Sequence, residues 1–184
     1  MYYIGVDLGG TNIAIGIVSE KYEIVRKGST PTKPERGADA IIADMAALTR
    51  KLIADEGLTL DDIAYVGVAT PGTANSDTGV VEYANNIPFL KYPLASNLSS
   101  LLDGKPVYIE NDANAAAKAE AMAGVAAGAP ISVMITLGTG LGGGRGSAAA
   151  SALYGGDRPL HRAQKALSGV LLRLLGGSRS VVHI

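Results

Sequence analysis

One segment constrains this chain most: Glu110-Asn111-Asp112-Ala113-Asn114-Ala115-Ala116-Ala117. It follows the short apolar run 106–109, which predicts a strand, and it opens an alanine-rich stretch, which predicts a helix. A carboxylate and two amides therefore lie where a strand ends and a helix begins, the place where parallel α/β proteins bind ligands. Asp112 is interpreted in two ways: it accepts a proton from a bound hydroxyl, or it only caps the helix.

The rest of the chain alternates between strand and helix patterns. Close spacing of the apolar runs in 2–28 predicts an antiparallel meander of three strands. Apolar residues at helical spacing predict a helix over 38–56, which Gly57 ends, and a further short helix is predicted over 94–102. Buried strands are predicted at 63–69, 107–109 and 131–137, and a helix from 112 to about 127. Nine of the fifteen residues 113–127 are alanine, so this last helix can pack close to a sheet.

Two glycine-rich turns follow predicted strands. In Asp7-Leu8-Gly9-Gly10-Thr11-Asn12 the glycines tolerate positive φ, so that backbone N–H groups can surround phosphate oxygens. Asp7, at a strand end, can hold Mg²⁺ through water. A plain hairpin turn is the alternative, because Gly-Gly is common there.

The second turn is Gly138-Thr139-Gly140-Leu141-Gly142-Gly143-Gly144. It has the same chemistry, since closely approaching backbone can bind phosphate. Its glycines also fit the G-x-G-x-x-G dinucleotide fingerprint. That fingerprint needs an acid about 20 residues later, and Asp157 is too near, which disfavours dinucleotide binding.

These three segments, in the order 7–12, 110–117 and 138–144 along the chain, resemble the ROK family (repressors, open reading frames and sugar kinases), especially its glucokinase-like members. The resemblance runs from residue 2 to 144. It implies an α/β fold of the actin-like, hexokinase-type ATPase class (ribonuclease H-like), with a sugar–ATP cleft between two lobes. It also implies ATP-dependent phosphorylation of a hexose, with ATP and Mg²⁺ as cofactors.

The resemblance implies a role for each matching residue. Asp112 is the expected catalytic base, and Asp7 is expected to hold Mg²⁺ through water. Sugar contacts are expected from Asn111, Asn86, Gly72 and Glu110, and phosphate contacts from Gly9, Gly10, Thr11, Asn12, Gly138, Thr139 and Gly140. The expected partners are a small sugar and ATP, and a homo-oligomer is compatible with the family.

The sequence also departs from the family pattern. It has no cysteine, so no zinc site of the family's type is expected, and the Glu-x-Gly-His segment that follows the second loop in its kinases is absent. The expected domains are an ATPase lobe over 1–127, the start of a second lobe over 128–144 and an atypical basic tail over 145–184. That tail holds six of the sixteen basic residues but only one of the seventeen acids. This imbalance indicates a shifted reading frame or an artificial join, and the alternative is an ordinary or disordered basic tail. The chain is therefore interpreted as an incomplete form whose own activity the sequence leaves open.

Charge and hydropathy narrow the function classes. A net charge of −1 gives no reason to expect nucleic-acid binding, and no apolar run is long enough to span a membrane. With no secretion signal recognised, a cytoplasmic protein is expected. Two alternatives to a kinase remain at this point: a non-catalytic sugar- or nucleotide-binding module, and a sugar-responsive repressor of the same family.

Overall fold

A five-stranded sheet forms the centre of the structure, a computed structural model that describes residues 1–21, 23–123, 131–137 and 141–147, with side chains through 119. Its strand order is β3-β2-β1-β4-β8. The three N-terminal strands pair antiparallel, as the meander prediction required, whereas β4 and β8 continue the sheet in parallel with β1. The strands are β1 Tyr2–Leu8, β2 Asn12–Ser19, β3 Ile24–Pro31, β4 Ile63–Thr70 and β8 Val107–Asn111.

One face of this sheet carries the hydrophobic core. Alternate residues of β1, among them Ile4, Val6 and Leu8, are fully or almost fully buried there, as the two-residue period of a strand requires. Helices α1 (Ala38–Asp55) and α2 (Leu94–Leu101) cover this face. Gly57 adopts a φ of +73° and donates its N–H to Ala54 O at 3.0 Å, which confirms it as the stop after α1.

The opposite face is covered differently along its length. At one end Tyr65 stacks at a tilt on Tyr3 and meets Tyr108 edge-on, with ring centroids 4.7 and 5.8 Å apart. Helix α3 (Asp112–Ala123) starts at the other end, directly after β8, and contacts β4 and β8. Its alanines at 113, 115, 116, 117 and 119 are buried, which confirms the expectation of close packing.

A small antiparallel sheet lies between β4 and α2 in the sequence. It consists of β5 (Thr73–Asn75), β6 (Val80–Tyr83) and β7 (Leu90–Tyr92), in that order. Phe89 is almost fully buried and stacks on Tyr92 at a centroid distance of 4.8 Å. This sheet carries the loop 84–89 back toward the main sheet.

A separate hairpin corrects one expectation about the second glycine-rich turn. The predicted strand β9 (Ile131–Leu137) is present, but residues 141–144 form part of a strand, β10 (Leu141–Ser147), that pairs with β9. Glycine-rich backbone can pair as an edge strand, so a glycine-rich composition does not by itself indicate a loop. Strand β10 crosses position 144, where the sequence indicated a break, and both strands contact α3. The expected helix over 124–127, Gly138 to Gly140 and the tail over 148–184 lie outside the described residues.

The G-x-G-x-x-G interpretation fails for the same reason. That fingerprint opens a helix after a strand, whereas Gly142 and Gly143 pair antiparallel with β9.

In the described ranges, no helix has the length and apolar character needed to cross a bilayer.

Candidate active site

The junction of β8 and α3 holds the central residues of the candidate site. Asn111 is the last residue of β8 and Asp112 the first of α3. Asn111 Oδ1 accepts the N–H of Asn114 at 3.1 Å, the bond that a helix N-cap makes. Asn111 is therefore the capping residue, and the interpretation of Asp112 as only an N-cap is wrong.

The Asp112 carboxylate is held through one of its two oxygens. Oδ1 accepts the backbone N–H of Ala113 at 2.8 Å and the Asn111 side-chain amide at 3.2 Å. Oδ2 accepts no hydrogen bond from the residues that the structure describes. The side chain is partly exposed at the positive end of α3, which favours a negative charge there.

Gly72 joins this junction to the small sheet. Its φ of +84° is in the left-handed region, and a Cβ on it would lie 2.1 Å from Tyr83 O. Only glycine fits, and its carbonyl oxygen accepts the Asn111 side-chain amide at 2.9 Å. Gly72 thus touches both the Asn111 amide and the segment that leads to Asn86.

Asn86 is exposed and lies against the first glycine turn. A Cβ built on Gly10 would come within 3.0 Å of Asn86 Cβ, so these two segments are in contact. Asn86 also lines an open groove of about 570 Å³ between the loop after β6 and the segment Pro34–Glu35. Tyr83, which donates its hydroxyl to Asn85 Oδ1 at 2.6 Å, lines the same groove.

The turn between β1 and β2 is closed by its own backbone. Gly9 donates its N–H to Asn12 O at 2.9 Å, and Thr11 and Asn12 are exposed. The N–H groups of Gly10 and Thr11 donate to no acceptor within the described ranges. Neither Gly9 nor Gly10 has a positive φ, so the expectation that this turn uses glycine for that conformation is wrong. Close approach is the reason instead, since a Cβ on Gly9 would lie 2.9 Å from Asn12 O.

Thr32 is a supporting residue that the sequence did not indicate. It is fully buried, donates its hydroxyl to Gly9 O at 2.7 Å and donates its N–H to Thr11 O at 3.0 Å. These two hydrogen bonds connect the glycine turn to the segment that follows β3. A threonine between two prolines carries no sequence signal for such a contact.

Asp7 and Glu110 lie in one row across the face that α3 covers. Ala69 of β4 is the register partner of Asp7 on one side and of Glu110 on the other. Glu110 is buried and pairs with Lys118 of α3. Among the described side chains, no group of three or more His, Asp or Glu gathers to hold a metal ion. Mg²⁺ bound with a nucleotide needs only one or two protein carboxylates, so the expectation that Asp7 holds Mg²⁺ through water stays a prediction.

Comparison with known proteins decides the family. The model of the ROK family matches residues 3–157, which is most of the chain. The match ends thirteen residues after residue 144, where the resemblance seen in the sequence motifs ended. The chain belongs to the ROK family. Its architecture is that of the actin-like ATPases, as the structural neighbours of this ROK chain show.

The ROK relatives include named sugar kinases. A glucokinase of Thermotoga maritima is 37% identical over 113 residues, which are 61% of this chain and 34% of the enzyme. An N-acetyl-D-glucosamine kinase of Citrobacter koseri is 34% identical over 118 residues, 64% of this chain and 36% of the enzyme. The chain spans about a third of the length of these curated relatives.

Solved structures cover more of this ROK chain. A ROK family glucokinase from Streptomyces griseus, in complex with glucose and AMPPNP, has a TM-score of 0.68 at 37% identity over 79% of this chain and 44% of the enzyme. An inorganic polyphosphate/ATP-glucomannokinase from Arthrobacter sp. strain KM also has a TM-score of 0.68, at 31% identity over 95% of this chain and 71% of the enzyme.

Proposed function

We propose that this protein takes part in ATP-dependent phosphorylation of a hexose, with Asp112 as the base. The observation that carries the proposal is the state of the Asp112 carboxylate. One oxygen is fixed by Ala113 and Asn111, and the other accepts no hydrogen bond from the described residues. A carboxylate fixed in this way can take the proton of a sugar hydroxyl as it attacks a phosphoryl group.

The sugar side of the proposed site consists of Asn111, Asn86 and Gly72. Both N–H groups of the Asn111 amide are already used, by Gly72 O and by Asp112 Oδ1. Asn111 Oδ1 accepts one hydrogen bond, so its second lone pair is available for a sugar hydroxyl. Asn86 is exposed and lines the groove, so its side-chain amide can donate and accept hydrogen bonds with sugar hydroxyls.

The phosphate side consists of the turn 9–12. Gly10 and Thr11 offer two successive backbone N–H groups, an arrangement that binds anionic oxygens. The Thr11 hydroxyl adds a third donor, and Asp7 at the end of β1 would hold Mg²⁺ through water. When bound, Mg²⁺ supplies positive charge that offsets the charge of the phosphates. Gly138, Thr139 and Gly140 are proposed to contact phosphates from the second turn.

Glucose is the proposed substrate, with N-acetylglucosamine as the next candidate. The support is similarity: relatives at 34% to 42% identity carry the names glucokinase and N-acetyl-D-glucosamine kinase.

A thermal-shift screen tests this proposal. A ligand that binds the folded state raises the melting temperature by mass action, so the substrate should raise it in proportion to the logarithm of its concentration. We expect glucose or N-acetylglucosamine to raise the Tm, and Mg-ATP to raise it further. Sorbitol at the same concentration is the control for osmolyte effects. Equal shifts with sorbitol and with every hexose would contradict the proposal.

A further inference from the structure

An ion pair beside the candidate base has no role in the function proposed above. Glu110, the residue before Asn111, is only 8% exposed and is one of four buried polar or charged residues in the described part of the chain. Lys118, six residues into α3 from Asp112, donates to Glu110 Oε2. It is the only basic residue of α3.

The Glu110 carboxylate links the end of β8 to the body of α3. Its Oε1 accepts the backbone N–H of Asn111 at 3.0 Å, while Oε2 accepts the Lys118 ammonium. One oxygen therefore fixes the strand residue next to Asp112, and the other fixes the helix that Asp112 begins. Ala69 is the register neighbour of Glu110 on β4.

Stability alone is a poor reason to bury the carboxylate of such a pair. Desolvation of two charges offsets much of their attraction, and apolar replacements of similar volume are often equally stable. The Lys118 side chain is 36% exposed, whereas the Glu110 carboxylate is buried, so losing Lys118 leaves a buried charge without compensation. The position of this pair is therefore informative: it spans the two elements that meet at Asp112.

We propose that Glu110 and Lys118 are positioning residues, which hold the β8–α3 junction so that the Asp112 carboxylate faces the substrate hydroxyl. This inference rests on the proposed function. It gives Glu110 a role different from the direct sugar contact that the family resemblance implies. Glu110 is only 8% exposed, and its carboxylate is held by Asn111 N–H and by Lys118, which favours positioning over sugar binding.

The test compares Glu110→Gln, Lys118→Met and the double variant with the wild-type protein. Lys51→Met is the matched control, since it removes a lysine–carboxylate pair from exposed positions on α1. Two quantities are measured: kcat and KM for glucose with Mg-ATP, and hydrogen exchange at the Ala113 and Asn114 amides. These amides donate to Asp112 and Asn111, so their exchange reports directly on the junction.

We expect each single variant to lower kcat about 10-fold, because small misplacements of catalytic groups are costly, with KM changed by less than about 2-fold. Exchange at Ala113 and Asn114 should accelerate about 10-fold, while α1 amides and the control variant stay at wild-type values. The double variant should be no worse than either single variant, as expected for two residues that act as one unit.

Two results would overturn the positioning role. One is unchanged exchange at both amides in Lys118→Met. The other is a rise in KM for Glu110→Gln but not for Lys118→Met, which would mean that Glu110 contacts the sugar itself. If the wild type phosphorylates no sugar, the proposed function fails, and the exchange measurement still decides whether the pair holds the junction.

Discussion

At the scale of single residues, Gly72 shows why the candidate site tolerates so little change. We expect Gly72→Ala to lower the free energy of unfolding by more than the ~1–3 kcal/mol of a strained backbone, because its Cβ would also meet Tyr83 O at 2.1 Å. Gly37→Ala is the matched control, with a φ of +89° and no atom within 4 Å of its Cβ. Urea unfolding of both variants measures the difference. Equal losses would show that the contact with Tyr83 relaxes at no cost.

Residues of the candidate site were predictable only where a motif or the family resemblance indicated them, and their roles stay predictions. The motifs indicated Asp112, Asn111, Gly72 and Asn86, and the structure connects them through the Asn111–Gly72 bond and the tight approach of Gly72 to the segment 83–84. Which of Asn111 and Asp112 caps the helix was not predictable, because it depends on which side-chain oxygen accepts which backbone N–H. Sequence patterns do not show that Asn111, and not Asp112, caps α3.

At the scale of elements, the start of α3 depends on the Asn111 side chain. We expect Asn111→Ala to lower the free energy of unfolding by about 1–3 kcal/mol, since it removes a helix cap and the bond to Gly72 O. Asn114→Ala, an exposed change within the same helical turn, should cost less. Thermal unfolding compares the two. A loss of unfolding free energy for Asn111→Ala no larger than that for Asn114→Ala would show that the Asn111 side chain does not stabilise the start of α3.

The turn before β4 should make stability depend on pH. Hydrogen bonds from the backbone N–H and then the hydroxyl of Thr59 lower the pKa of Asp62 below its usual value of 3.8. The pKa of Asp62 is lower in the folded state than in the unfolded state. Its contribution to stability is therefore fully present above the unfolded pKa and is lost as pH falls through the folded pKa.

Asp62→Asn should therefore lose less stability than the wild type when pH falls from about 6 to about 2. Asp61→Asn, which changes a fully exposed neighbouring side chain, should follow the wild type. The measurement is the unfolding free energy across that range. Parallel curves for wild type and Asp62→Asn would contradict the assignment.

Elements with a strong hydrophobic period were predictable, whereas glycine-rich ones were not. The meander, α1 and β4 follow two-residue or helical spacing of apolar side chains, and the structure confirms them. The stretch 141–144 has almost no side chains to carry a period, so it was predicted as loop although it forms part of β10. The ion pair between Glu110 and Lys118 was also unpredictable, because it depends on how α3 lies across the sheet.

At the scale of the whole molecule, the candidate site forms where three connections meet at one end of the main sheet. These are the turn after β1, the segment after β4 and the junction after β8, which follow three adjacent strands. Strands β1, β4 and β8 are neighbours in the sheet and run in parallel, so their carboxyl ends lie at the same end of the sheet. The proposed phosphate and sugar contacts therefore come from segments distant in sequence.

The most direct test of this account is glucose-dependent ADP formation by the full-length protein and by Asp112→Asn, each with saturating glucose and Mg-ATP. The amide keeps the size of the carboxylate but cannot accept the proton, so the rate should fall by ~10²–10⁴-fold. Calorimetry should show a glucose Kd within about 2-fold of wild type, because binding of the sugar does not need the proton transfer. Equal ADP formation by the two proteins would show that Asp112 is not the base.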